Sequence, residues 1–324
     1  MVGDRSRPIE LDGEAARFSF CSASGGLECE APRQKEPPLR AFRLLLVSIA
    51  AMLACASRAS AAESYASCTG VVSSIPTVIG TAGTWCLKQN LSTALSSTKA
   101  ITINADNVTV DCNHFALSES AGLGNTAFAI YALNRHGITL RHCAIRGFRF
   151  GAYFIGTSSG GHRVESNHFV GETAQAIRVE GDGSLIQANQ VLDTGGSTVT
   201  TSAYGIYVAG SADILDNLVD SVLAHTGSNG SAYGIYTSGN VSGTIALNRV
   251  RGLVRDGTGR SFGNANASSG HVNVHDNDLL GDATASSIGL SCTNATGRAK
   301  ANTIGGFGTA LQKCGDGTGN TITP

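Results

Sequence analysis

Apolar and polar positions along this chain recur as a unit of about 25 to 30 residues rather than as one long period. The segment Ala203-Tyr204-Gly205-Ile206-Tyr207 is answered by Ala232-Tyr233-Gly234-Ile235-Tyr236. Each is followed by an apolar-x-x-Asn-x-apolar turn, Ile214…Asn217…Val219 and Ile245…Asn248…Val250. The same template fits Val110…Asn113…Phe115, Val164…Asn167…Phe169, Ile186…Asn189…Val191, Val274…Asn277…Leu279 and Ala299…Asn302…Ile304; Leu140…Cys143…Ile145 carries cysteine in the Asn place. Successive anchors are 22–31 residues apart, which describes a fixed core unit with loops of variable length. Within each unit the pattern predicts three short strands with period-2 alternation and glycines at the corners. No stretch between strands carries the 3.6-residue apolar period of a crossover helix, which excludes an α/β fold. The expectation is an all-β chain, a parallel β-helix over residues 100–324, with about nine coils forming a rod on the order of 40 Å long. Residues 62–99, which include Trp85, do not show the repeat and are expected to cap the exposed core of the first coil.

The recurring Asn has a physical task. A buried turn leaves backbone groups without partners, and a carboxamide supplies two donors and an acceptor to them and to the next coil. Asn113, Asn167, Asn189, Asn217, Asn248, Asn277 and Asn302 are therefore expected to stack as one structural ladder along the rod.

Composition adds the compartment. The chain has 324 residues, 41 of them Gly, and only 15% are charged, against about 25% in an average globular protein. Residues 44–57 form an apolar run behind Arg40 and Arg43 and end in the small-x-small sequence Ala59-Ser60-Ala61, so residues 39–61 are read as a secretory signal. The run is shorter than the roughly 20 apolar residues that cross a bilayer, and no transmembrane anchor is expected after processing. Residues 1–38 precede that signal, are polar and are expected to be disordered or foreign to the natural product. Export to the periplasm or medium makes disulfides expected, and spacing pairs Cys68 with Cys86, Cys112 with Cys143, and Cys292 with Cys314. A formal net charge of −1 offers nucleic acid no electrostatic footprint.

The motifs Ile101-x-Ile103-x-x-Asp106-Asn107-Val108-x-Val110-Asp111-Cys112-Asn113 and Gly137-Ile138-Thr139-Leu140-Arg141-His142-Cys143, with the Gly-Ile-Tyr repeats, resemble the right-handed parallel β-helix repeat proteins of the pectin-lyase-like superfamily. The resemblance spans about residues 68–324. It implies a polysaccharide partner, and an activity among lyase, epimerase, glycoside hydrolase and non-catalytic adhesin or structural rod. It also makes the Gly-Ile-Tyr strand the first strand of each coil, the one that floors a saccharide groove, with the Asn turn between the second and third. Alternation then turns Tyr131, Tyr153, Arg178, Tyr207 and Tyr236 outward in consecutive coils, as a platform for an extended, acidic polysaccharide. Phe128, Phe150, Tyr204 and Tyr233 are expected on the inner face. Loops Leu192–Ala203, Asp220–Ala232 and Arg251–Ser261 are expected to wall the groove. Arg178 with His225 or Tyr207 is the candidate set for lyase or epimerase chemistry, and Asp193 with Asp220 for hydrolysis. The Asn-Thr-Asp, Asp-Asp, Gly-His-Gly and Arg-Ile-Lys series of polygalacturonases is missing, as are the Trp-Ile-Asp-His and Arg-x-Pro-x-x-Arg motifs of pectate lyases. No cofactor is evident. His271 and His275 are too far apart along one strand to chelate one ion, and Asp276 with Asp278 is the one Ca²⁺ candidate.

Overall fold

The computed structural model describes residues 67–268, 270–292 and 298–324; the expected extension 1–38 and signal 39–61 lie outside these. The described residues wind into a parallel β-helix of three sheets with eleven, ten and ten strands, every pairing parallel and each strand inside a sheet bonded to its equivalents one coil before and after. We name the sheets by strand order within a coil. The first runs from Thr77–Ile79 through Ala203–Ala209 and Ala232–Gly239 to Thr309–Gln312. The second includes Val108–Asp111 and Ala212–Leu215, and the third Ala144–Arg146, Gln190–Gly195 and Leu218–Leu223. The segment expected as a cap supplies the first rungs, with Gly70–Val72 and Gly83–Leu87 in the second sheet, Thr77–Ile79 in the first and Leu91–Thr93 in the third. No helix among the described residues is long and apolar enough to cross a membrane.

The apolar template positions fill the rod. Leu140, Val164, Ile186 and Ile214 stack in the second sheet and Ile145, Phe169, Val191 and Val219 in the third, all fully buried. Between these sheets runs the amide ladder. Nδ2 of Asn167, Asn189, Asn217, Asn248, Asn277 and Asn302 each donates to Oδ1 of the next Asn at 2.9–3.0 Å, the last acceptor being Asn320. The backbone N–H of each donates to the same Oδ1.

Asn113 stands outside this ladder. Between the paired positions Asp111↔Arg141 and Ala116↔Ala144 lie residues 112–115 in one coil but only 142–143 in the next, and the longer turn displaces Asn113, whose Nδ2 donates to Leu87 O instead. The ladder ends on Cys143, whose N–H donates to Asn167 Oδ1 and whose sulfur is bonded back to Cys112. The other disulfides join Cys68 to Cys86 and Cys292 to Cys314.

The residue before each ladder Asn is left-handed, with φ of 53–61° at Ser166, Ala188, Asp216, Leu247, Asp276 and Ala301. That conformation costs an ordinary L-residue roughly 1–2 kcal/mol, which Asn and Asp offset by local hydrogen bonding. Leu247 is 62% exposed, so little packing offsets its strain. Leu247→Asn is expected to raise stability by about 0.5–1 kcal/mol; a lower urea midpoint would show that the exposed Leu247 side chain contributes more than its backbone costs.

Simple alternation breaks in two places. In the third sheet Asp193, Ser221 and Gly252 are left-handed (φ 54°, 63° and 67°) and follow the in-register residues Leu192, Asp220 and Arg251. The bend resets the facing, so Thr194, Val222 and Leu253 again point into the core and the strands continue to Gly195, Leu223 and Val254. The loops between third and first sheets therefore start later than the sequence pattern suggests. In the first sheet two neighbouring residues, Gly205-Ile206 and Gly234-Ile235, both face inward. A Cβ on Gly234 would lie 2.2 Å from Val250 Cγ1, and one on Gly205 2.5 Å from Val219 Cγ1, so hydrogen is the side chain this close approach admits without displacement.

Candidate functional site

That inward pair changes the outer face of the first sheet. With two residues turned in between them, positions three apart both point out: Phe128, Tyr204 and Tyr233, each partly exposed, lie outside the core, and Phe150 lies in the same row but is covered by its neighbouring rings to 8% exposure. Two columns run side by side. Phe128, Phe150, Gln175, Tyr204, Tyr233 and Phe262 form one, and Tyr131, Tyr153, Arg178, Tyr207 and Tyr236 the other, each in register from coil to coil. Rings contact across the columns edge to face, as Tyr204 does with Tyr207 (5.4 Å between centroids, 72°) and Tyr233 with Tyr236 (5.1 Å, 66°).

Within the first column the rings stack on one another. Tyr233 lies between Tyr204 (4.7 Å, 3°) and Phe262 (4.9 Å, 1°), and Phe128 lies on Phe150 (4.8 Å, 19°). Both faces of Tyr233 are thereby covered, and the solvent meets ring edges and hydroxyls. Burial and the neighbouring tyrosines push the Tyr204 phenol up to about 12, and burial raises Tyr153 and Tyr236 in the same direction. These phenols stay protonated and can donate as well as accept. The Tyr207 hydroxyl is already engaged with Ser238 Oγ at 2.9 Å.

Arg178 is wedged between the Tyr153 and Tyr207 rings, its Cζ 5.4 and 4.5 Å from their centroids. Its Nε and Nη2 both donate to Glu180 Oε1, at 2.9 and 2.5 Å, while Glu180 Oε2 accepts from the Gly156 N–H. Burial opposes the charge on Arg178, but Glu180 more than offsets it and the guanidinium is held charged. Two more cations lie on the same face, Lys99 with Nζ 3.8 Å from the Tyr131 centroid and Arg149 with Cζ 4.9 Å from the Phe150 centroid. Sequence reasoning passed over both. Lys99 opens its strand and Arg149 precedes the strand Phe150–Ile155, and the signal that locates them is adjacency to Phe128 and Phe150 once those rings are known to face out.

The structure does not gather the other candidates here. Asp193 and Asp220 belong to the third sheet. Asp193 occupies the left-handed bend, and Asp220 accepts from Arg251 Nε at 2.8 Å and from Ser221 Oγ at 3.1 Å. His225 sits in the loop stack, its N–H donating to Thr201 O and its carbonyl accepting from Ser228 Oγ. These loops bond to each other coil upon coil, with Asn229 N–H donating to Asp256 Oδ2 and Thr258 N–H to Asn229 Oδ1. Of the Ca²⁺ candidates, Asp276 accepts from or pairs with His275 at 2.8 Å and Asp278 lies 3.3 Å from Arg249 Nε, so each already faces a cationic or donor side chain.

Three stacked parallel sheets joined by an amide ladder define a parallel β-helix protein. No protein-family model and no curated protein matches the chain. Among solved structures it is similar to the catalytic domain of a GH87 alpha-1,3-glucanase in complex with nigerose, at 10% identity over 79% of this chain and 62% of that one, with a TM-score of 0.35. It is also similar to the A-module of the Azotobacter vinelandii mannuronan C-5 epimerase AlgE6, at 13% identity over 75% of this chain and 91% of that one, TM-score 0.31, and to that of AlgE4, at 13%, 74%, 88% and 0.32. The chain thus spans 62% of the glucanase domain's length.

Proposed function

We propose that the outer face of the first sheet binds an extended acidic polysaccharide laid across the rungs. The observation that carries this reading is the charge of the aromatic face. Lys99, Arg149 and Arg178 stand among half-buried rings opposite Glu180, in a chain whose formal net charge is −1. Arg178 is matched by Glu180, so the uncompensated charge for a uronate carboxylate comes from Lys99 and Arg149. Stacking leaves edges rather than faces outward, so Tyr131, Tyr153, Tyr204, Tyr233 and Tyr236 meet sugar hydroxyls through their phenol groups. Three disulfides support a protein of an oxidising compartment, where such polymers occur.

The test is retention on uronate and neutral polysaccharides. Lys99→Ala with Arg149→Ala is expected to weaken uronate binding about tenfold, roughly 1.4 kcal/mol, and to flatten its salt dependence. Tyr131→Phe, Tyr153→Phe and Tyr236→Phe together remove hydroxyls without disturbing the stack and are expected to weaken it several-fold. Unchanged retention in both variants, with the fold intact by circular dichroism, overturns the reading. The same panel is read for unsaturated products and new reducing ends. Either adds lyase or hydrolase activity to binding, and alanine at Asp193, Asp220, His225 or Arg178 then locates the chemistry.

A further inference from the structure

Away from the aromatic face, three histidines meet at the turn between the second and third sheets, where the ladder gives way to the Cys112–Cys143 disulfide. His114 and His142 occupy consecutive coils and are both left-handed, with φ of 65° and 53°. The His114 N–H donates to His142 O at 2.8 Å, and the disulfide ties the same two turns with Cα atoms 4.7 Å apart. In the next coil the His168 N–H donates to Cys143 O at 2.8 Å. The three side chains line one pocket of about 200 Å³ with Cys143, Ala144 and Ser166.

Two of the three rings have the spacing of a ligand pair. The His114 and His142 ring centroids are 5.2 Å apart. Two imidazoles on one tetrahedral ion, with metal–nitrogen bonds of about 2.0 Å, place their centroids about 5 Å apart. Behind His142 stands a carboxylate of the kind that fixes ligating histidines: Asp111 Oδ1 lies 3.2 Å from His142 Nδ1. Asp111 is anchored there by Arg141 Nε on Oδ2 at 2.7 Å and by the Asn113 N–H on Oδ1 at 3.1 Å. An ionised Asp111 accepts, so Nδ1 of His142 carries the proton and Nε2 is left with its lone pair. His168 Nε2 is buried and has no hydrogen-bond partner. As the side chains stand, no three donors among the described residues converge on one point; His114 with His142 makes the seat, and a third ligand requires the His168 ring, which lines the same pocket, to turn toward them.

We propose that His114, His142 and His168 bind one divalent ion of the zinc type, with Asp111 holding His142 in the ligating tautomer. Imidazole nitrogen suits Zn²⁺ and its neighbours rather than the oxygen-seeking Ca²⁺ or Mg²⁺. The backbone bond and the disulfide pin the two principal ligands before the ion arrives, which lowers the ordering cost.

Calorimetric titration of the disulfide-intact full chain, free of affinity histidines, with Zn²⁺ is expected to show one equivalent bound at micromolar or tighter affinity, roughly −8 kcal/mol or better. His114→Ala and His142→Ala each abolish it, His168→Ala weakens it, and Asp111→Asn weakens it about 10–100-fold. His271→Ala, just before the second-sheet strand Val272–His275, and His275→Ala within it, both away from this turn, leave it unchanged. Co²⁺ replacing Zn²⁺ gives the intense visible absorption of a four-coordinate site. Should His142→Ala or Asp111→Asn disturb the turn, the exposed His114 still tests the site. No Zn²⁺ bound at 100-fold excess, or binding that survives both His114→Ala and His168→Ala, overturns the proposal.

Discussion

Asn217→Ala is expected to destabilise the rod by about 3–6 kcal/mol, a large part of the 5–15 kcal/mol that holds a typical domain folded. The reason lies in what the carboxamide leaves behind. Its Oδ1 accepts from both the backbone N–H and Nδ2 of Asn189, and its Nδ2 donates to Ile186 O, Leu215 O and Asn248 Oδ1, all in a turn where Asn217 is 2% exposed. Alanine strands several buried groups at once, each at about 1–3 kcal/mol, and water does not reach them. Coils contact only their neighbours, so the damage is expected to concentrate near the lesion. Exchange of the Asn189 amide should accelerate more than that of Asn302, three rungs further on. Asn113→Ala is the matched control, because its one side-chain bond, 3.1 Å to Leu87 O, is half-buried and outside the ladder; about 1 kcal/mol is expected. Equal urea midpoints for the two variants would refute the cooperative ladder.

The same contrast shows how far the sequence could be read. The Asn template found six of the ladder residues because a buried turn demands a carboxamide, and side-chain identity then reports backbone position directly. It overreached at Asn113, where His114 and Phe115 lengthen the turn without altering the apolar-x-x-Asn match. It missed Asn320, which accepts from Asn302 but follows Gly317-Thr318-Gly319 with no apolar residue three places earlier. The outer columns depend on facing, and facing was inferred from strict alternation. That rule places Tyr207 and Tyr236 outward but fails at Tyr204 and Tyr233, because Gly205-Ile206 and Gly234-Ile235 spend two residues on one inward corner. In the third sheet the left-handed bends at Asp193, Ser221 and Gly252 shift the alternation again, and strands look like loops. Charges are least legible: Lys99 and Arg149 become partners of the aromatic face only through register, and His114, His142 and His168 meet only because their turns stack.

Glu172 carries the other large effect, and it acts through pH. It stands in an inward column between Phe148 and Thr194, which continues into Val222 and Leu253, all of them at most 1% exposed. Neither carboxyl oxygen has a hydrogen-bond partner on another residue, and Thr194 Oγ1 above it has none either. Burial pushes this carboxyl well above the ordinary range, and its own backbone N–H and the charge of Arg146 offset only part of that. The folded state therefore keeps a proton that the unfolded state loses near the usual glutamate pKa of about 4.3. Stability from this group is complete below that pH and falls by about 1.4 kcal/mol per unit as pH rises, until the folded-state pKa is passed. Other groups tilt the opposite way: Asp111 is depressed, despite its burial, by the Asn113 N–H, Arg141 and His142, and burial lowers His162 to about 4, so both lose stability as pH falls. Glu172→Gln removes only the first slope, since an amide reproduces the neutral acid's shape without a proton to lose. The difference between Gln and wild type should therefore grow with pH above about 5 in urea midpoints, in favour of Gln, and level off only once the folded-state pKa is passed. A constant difference across that range would mean that Glu172 ionises inside the rod or finds a partner there.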